Sequence, residues 1–181
     1  MWNILTSVLE YIRDIILNIT TRNPTPYETK YLNDLIRFYN HSNQCNQQDI
    51  NLMIRIINGK SNISLRLIDW FIHVYVHDNM TNNSVCHRFY ENYKAEMRGY
   101  TKKYFDVFRR GNRITFSFAD NISITTSIGQ LNFFKWLCAN NIITYIEQHY
   151  DEIIQQFNDH LDMNVLNEYS YQDMNVLTES M

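Results

Sequence analysis

Apolar positions recur every three or four residues along most of the chain, and the period shortens to two in one stretch near residue 113. Ile4, Val8, Tyr11, Ile12, Ile15 and Ile19 fall on one helical face. Pro24 and Pro26 close that helix and open a second at about Tyr27, with Tyr31, Leu35 and Phe38 at spacings of four and three. A polar stretch from His41 to Gln48 precedes a third helix carrying Leu52, Met53, Ile56 and Ile57. Gly59 is placed to end it in the left-handed conformation. Residues 63–76 are the most apolar run. Ile68, Phe71, Ile72 and Tyr75 give a helical stripe, but positions 71–76 are also β-branched enough for a buried strand; length favours the helix. From residue 84 to about 104, Val85, Phe89, Tyr93, Met97, Tyr100 and Tyr104 mark one amphipathic helix, with Lys94, Arg98 and Lys102 on a neighbouring face at spacings of four.

Residues 113–118 then alternate apolar and polar, Ala119, Asp120 and Asn121 can turn the chain, and 122–125 alternate again. The pattern predicts a β-hairpin burying Ile114, Phe116, Phe118, Ile122 and Ile124. A lone hairpin is marginal in water, so helices must cover it. Ser127 and Gln130 match the S-x-x-Q capping box, and Leu131, Phe134, Leu137 and Cys138 follow at core spacing. Asn140 and Asn141 form a stop, because asparagine tolerates the left-handed conformation. A last helix runs from 142 to about 157 with Tyr145, Ile146, Ile153 and Phe157. Beyond it the segment from Asp162 to Leu166 repeats as Asp173 to Leu177, two copies being too few for a solenoid. The expected fold is α+β and mostly α-helical, about six helices packed around a small antiparallel β-hairpin near 113–126. One domain over 1–158 is expected, followed by an acidic, loosely ordered tail over 159–181.

Composition narrows the class. A chain of 181 residues, 45% hydrophobic and 14% aromatic, can bury a sizeable core, and four glycines with two prolines leave few obligatory breaks. Glu10, Arg13 and Asp14 interrupt the N-terminal apolar run, which argues against a signal peptide or a membrane span and favours a helix packed on the core or on a partner. Without a secretory signal, the sequons at Asn18, Asn62, Asn82 and Asn121 read as chance matches in an Asn- and Ile-rich chain. The odd count of three cysteines, Cys45, Cys86 and Cys138, predicts reduced thiols in a reducing compartment.

Charge changes the picture most. Between Arg88 and Arg113, eight basic residues (Arg88, Lys94, Arg98, Lys102, Lys103, Arg109, Arg110 and Arg113) face three acids (Glu91, Glu96 and Asp106), a local net of +5. From Glu147 onward there are eight acids and no lysine or arginine, so the overall −3 conceals a polar molecule. The eight cations are the candidate nucleic-acid-binding residues, with Tyr100, Tyr104 or Phe105 available to stack on unpaired bases. The competing reading is a solvated helix face partly paired with the acidic tail, which could also shield the patch.

Candidate chemistry is sparse. His73 and His77 stand at the i, i+4 spacing of a helical metal pair, but their apolar surroundings supply few further ligands, so no metal is expected. Asp69, beside Trp70, is read as one half of an ion pair with Arg66 or Lys60. No phosphate-loop, dinucleotide or nucleophile-elbow motif occurs, which predicts no enzyme and no cofactor.

Three blocks carry a resemblance: Leu65 to Phe71, Tyr93 to Arg110 and Thr126 to Trp136. Together, across about 63–147, they resemble an uncharacterised family of nucleocytoplasmic large DNA viruses of the mimivirus kind. The resemblance implies no catalytic residues. It implies a viral protein in the host-cell cytoplasm, at the viral factory, or in the virion. Nucleic acid or another polyanion is one expected partner and other viral proteins are the alternative; a membrane is not expected, and oligomeric state is left open.

Overall fold

The structure is a computed structural model that describes residues 24–41, 45–108, 110–118 and 122–163. The helix expected over 4–19, the turn at 119–121, Arg109 and the chain beyond 163 lie outside the described residues. The fold is α+β and mostly helical, with one two-stranded antiparallel sheet among the described residues.

Helix α1 spans Pro26–His41. Pro26 suits the first helical position, and Thr25 and Glu28 close a reciprocal cap around it. The Thr25 hydroxyl oxygen accepts from Glu28 N at 3.2 Å, and the Glu28 carboxylate accepts from Thr25 N at 3.0 Å. Helix α2, Gln47–Ile57, begins with a second capping box between Asn46 and Asp49. It ends as the sequence predicts, with Gly59 at φ 68°. Gly59 N donates to Ile56 O and Lys60 N to Arg55 O, the paired hydrogen bonds of a Schellman stop.

The ambiguous apolar run is helical. Helix α3, Leu65–Trp70, passes through a π turn at Phe71–Tyr75 into α4, Val76–Asn79. The buried positions explain the widening. Leu67, Ile68, Phe71, Ile72, Tyr75 and Val76 are paired at a repeat of four residues. At 3.6 residues per turn that stripe drifts by about 40° each turn, and the wider π turn absorbs the surplus. Helix α5 spans Ser84–Met97, capped by the Asn83 side chain, which accepts from Val85 N and Cys86 N.

Strands β1, Arg113–Ser117, and β2, Ser123–Ser127, pair with Phe116 opposite Ile124. Ile114, Phe116, Phe118 and Ile124 are buried as expected, with Ile122 half-buried. The helices do cover the hairpin: Tyr39 of α1 packs its ring 5.8 Å from Phe116 and 5.5 Å from Phe118. Strand β2 runs directly into α6, Ile128–Ala139, the most enclosed helix, which packs against α1.

Two helix ends differ from the expected pattern. α5 stops at Met97 instead of continuing to 104, and Lys102–Tyr104 form a separate 3-10 turn. That turn packs on α6, where Asn132 Nδ2 donates to the Tyr104 carbonyl at 2.9 Å. The last helix is two: α7, Ile142–Gln148, and a further helix α8 over 150–163, which runs past residue 158. Asn141 precedes α7 in the left-handed conformation at φ 55°. α8 buries Ile153 and Phe157, the latter 5.3 Å from the Trp70 ring. All three thiols are free and buried, and Cys45 and Cys138, distant in sequence, are neighbours. The hydrogen bond between these two, then burial, pushes the Cys138 thiol well up.

Candidate nucleic-acid interface

Helix α5 is anchored by few side chains. Only Cys86 and Phe89 are fully buried, while Tyr90, Tyr93 and Met97 are half-buried against the core. The remaining face is open, and it carries Arg88, Lys94 and Arg98, all exposed. At about 100° per residue, Lys94 and Arg98 are neighbours, and Arg88 lies roughly a third of a turn away. The stripe at spacings of four stops there, because Lys102 has left the helix.

Seven of the eight candidate cations lie among the described residues, Arg109 being outside them. Arg88 stands over the Phe89 ring at 5.6 Å. Lys94 Nζ lies 3.7 Å from Glu91 Oε1 and 4.9 Å from the Tyr90 ring centre. Lys103 Nζ lies 3.7 Å from Glu28 Oε1, a carboxylate that is 3% exposed. Arg110 grips Asp106 through two bonds, Nε to Oδ2 at 2.9 Å and Nη2 to Oδ1 at 2.6 Å. Arg88, Arg98, Lys102 and Arg113 are exposed and form no ion pair among the described residues. An exposed pair such as Lys94 with Glu91 contributes only about 0–1 kcal/mol, so Lys94 stays available to a stronger partner. The carboxylates that meet the seven described cations are Glu91, Glu28 and Asp106; none comes from 147–163 among the described residues.

The aromatic residues expected as base platforms are spent on packing. Tyr100 stacks between Tyr31 and Phe105, at 5.4 Å from each, and Tyr104 leans on Tyr31 at 5.1 Å and Tyr27 at 5.5 Å. Phe105 is 5% exposed. Burial pushes the Tyr100 phenol up to about 12.

Lys102, Lys103 and Arg110 meet along a cleft of about 520 Å³ between the π turn, α5 and the 102–111 segment. A second cleft of about 300 Å³ shares Lys103 and Gly111 with it and adds Arg113. The chain can bend between them because Gly129 lets α6 approach: a Cβ there would meet the Lys103 carbonyl oxygen at 2.6 Å. Gln130 fixes the other end, accepting from the Thr126 hydroxyl and donating to the Val107 carbonyl, both at 2.8 Å. Its side chain is therefore not the return arm of the expected capping box, although Ser127 does accept from Gln130 N.

The larger cleft also holds a hydrogen-bonded trio that sequence reasoning missed. His73 Nδ1 lies 2.9 Å from the Asp69 carbonyl oxygen and 3.3 Å from its carboxylate, and His73 Nε2 lies 2.9 Å from the Tyr93 hydroxyl. Asp69 is thus partnered by His73 and not by Arg66 or Lys60. The D-x-x-x-H spacing was legible, but Tyr93, twenty residues on, was not. The hydrogen bond to Asp69 raises the His73 pKa above its ordinary value against an opposing effect of burial. Burial, then the charges of Asp69 and Asp106, raises Tyr93. His77 turns elsewhere, to Asp78 Oδ1 at 3.2 Å. No group of three metal-ligating side chains gathers among the described residues. Nor, among the described residues, is any helix long and apolar enough to cross a membrane.

The three resembling blocks all contribute to this cleft: 65–71 supplies Asp69, 93–110 supplies Tyr93, Lys102 and Arg110, and 126–136 supplies Phe133. The chain matches the family described as "Family of unknown function (DUF7197)" over residues 14–175, and it belongs to that family. It is 38% identical over 156 residues to "Uncharacterized protein L507" of Acanthamoeba polyphaga mimivirus, a match covering 78% of this chain and 59% of the relative. The chain therefore spans less than two thirds of the length of that curated relative. No solved structure matches. The giant-virus resemblance holds, over a longer span than the three blocks suggested.

Proposed function

With membership of this giant-virus family as the premise, we propose that the protein is a non-enzymatic viral protein that binds nucleic acid through the basic surface of residues 88–113. The supporting observation is the exposure of Arg88, Arg98, Lys102 and Arg113 without carboxylate partners among the described residues. Such cations release counterions when they meet phosphates, which stabilises a complex without base-specific contacts. The burial of Tyr100, Tyr104 and Phe105 favours backbone contacts over base stacking. The pairs at Lys94, Lys103 and Arg110 leave Arg88, Arg98, Lys102 and Arg113 to keep the surface positive among the described residues. The setting that fits is the viral factory in the host cytoplasm, or the virion.

An electrophoretic shift series over salt tests this reading. The affinity should fall steeply between low and moderate salt. Replacing Arg98 and Lys102 by glutamine should lower the slope of log K against log salt by about 1–2. Absence of oligonucleotide affinity at low salt, together with self-association or capture of a virion protein, would instead support a structural or protein-interaction role in the virion or factory.

A further inference from the structure

We propose that the cleft bounded by His73, Tyr93, Lys102 and Arg110 is a binding site for a phosphomonoester group, carried by a free nucleotide or by the 5′ end of a nucleic acid.

Its size, about 520 Å³, lies in the range of small-ligand sites. Met97, Phe105, Val107 and Phe133 form the apolar part of its wall, and its donors outnumber the Asp69 and Asp106 carboxylates. Asp106 is 12% exposed and fully engaged, receiving Arg110 through two nitrogens and Phe108 N at 3.3 Å. It holds the guanidinium by Nε and Nη2 on a side chain 72% exposed, so further N–H groups remain for a ligand. Lys102 adds an exposed ammonium with no ion pair among the described residues.

The trio supplies a donor that depends on proton state. Asp69 orients His73 by accepting from Nδ1, so a neutral ring presents Nε2 as an acceptor for the hydrogen bond that the Tyr93 hydroxyl donates. A protonated ring donates from Nε2 to the same hydroxyl oxygen. The Tyr93 O–H is then released to donate to an incoming anion. The charged groups facing His73 across the cleft are Asp69 on its own helix and Lys102, Lys103, Asp106 and Arg110 opposite. With His73 charged, four cations stand against Asp69, Asp106 and the Glu28 partner of Lys103, a positive balance that favours the dianionic form of a phosphate. The phosphate loses its second charge below about pH 6. Occupancy should therefore peak between that point and the raised His73 transition, and fall on both sides.

The proposal rests on the nucleic-acid reading only for one source of the phosphate, and the test separates the two. Imidazole and tyrosine NMR signals of the full chain are followed against inorganic phosphate and against adenosine monophosphate. Affinities are then measured for one single-stranded oligonucleotide with a 5′-phosphate or a 5′-hydroxyl. Saturable shifts of His73 and Tyr93 by both inorganic phosphate and adenosine monophosphate support the site, with the predicted pH maximum read from the monophosphate ester. A 5′-phosphate preference of about tenfold, lost in Tyr93→Phe, assigns it to nucleic-acid ends. Saturable phosphate and nucleotide binding without oligonucleotide affinity upholds the cleft and overturns the basic-surface reading. No saturable shift by phosphate or nucleotide overturns the cleft, whatever the oligonucleotides do. Tyr93→Phe keeps the ring that packs 5.5 Å from Trp136, so it removes the hydroxyl without opening the core.

Discussion

Helices α5 and α6 are of similar length and opposite character. α6 has twelve residues, of which ten are buried, including the polar Gln130 and Asn132. α5 has fourteen, of which two are buried. The difference separates two jobs. α6 receives α1, the hairpin and the 102–108 segment, and its buried Gln130 and Asn132 side chains donate to the Val107 and Tyr104 carbonyls of that segment. α5 rests on the core through Cys86 and Phe89 and a few half-buried rings, and it spends its other face on charge. Positions that organise the fold and positions free to meet a ligand are thus concentrated on different helices.

The sharpest way to break this comparison is a truncation in α6. Phe134 is fully buried, and Phe134→Ala should cost about 3–5 kcal/mol by chemical denaturation. A loss below about 1 kcal/mol would mean that α6 is not the organising helix. Gly129→Ala should cost about 1–3 kcal/mol, because the added methyl must displace the Lys103 backbone. Unchanged stability there would show that the 102–108 segment is not held against α6.

The exit of α5 is sharpened by alkali. The Tyr100 phenol, raised by burial from 10.0 to about 12, favours the folded state while it is neutral. Its contribution is fully present below pH 10 and is lost as pH rises through 12. Stability should therefore drop across that window, and Tyr100→Phe should flatten the drop. The smallest expected effect is on α5 itself. Arg98→Gln should change stability by no more than about 0.5 kcal/mol while lowering the salt slope of oligonucleotide binding. A larger loss of stability would mean that Arg98 serves the fold.

The wording of the ends, caps and strands was local and therefore legible. Gly59 and Asn141 take the left-handed conformations expected of them, and period-two alternation located both strands. Thr25 and Glu28 form a capping box that the T-x-x-E spelling also announced, although only the prolines beside it drew notice. The cation-rich segment is visible in the sequence, and its described cations are exposed. Its supposed helical stripe does not reach Lys102, which lies beyond the end of α5.

What the chain alone determined are the features set by neighbours within about four residues, where backbone sterics, capping groups and side-chain period act directly. Only the tertiary structure decided the termination of α5, the pairing of Cys45 with Cys138, the partner of Asp69 and the meeting of His73 with Tyr93. Those outcomes depend on which surfaces are pressed together, as when the Lys103 carbonyl comes to rest on Gly129, and no periodicity records that approach.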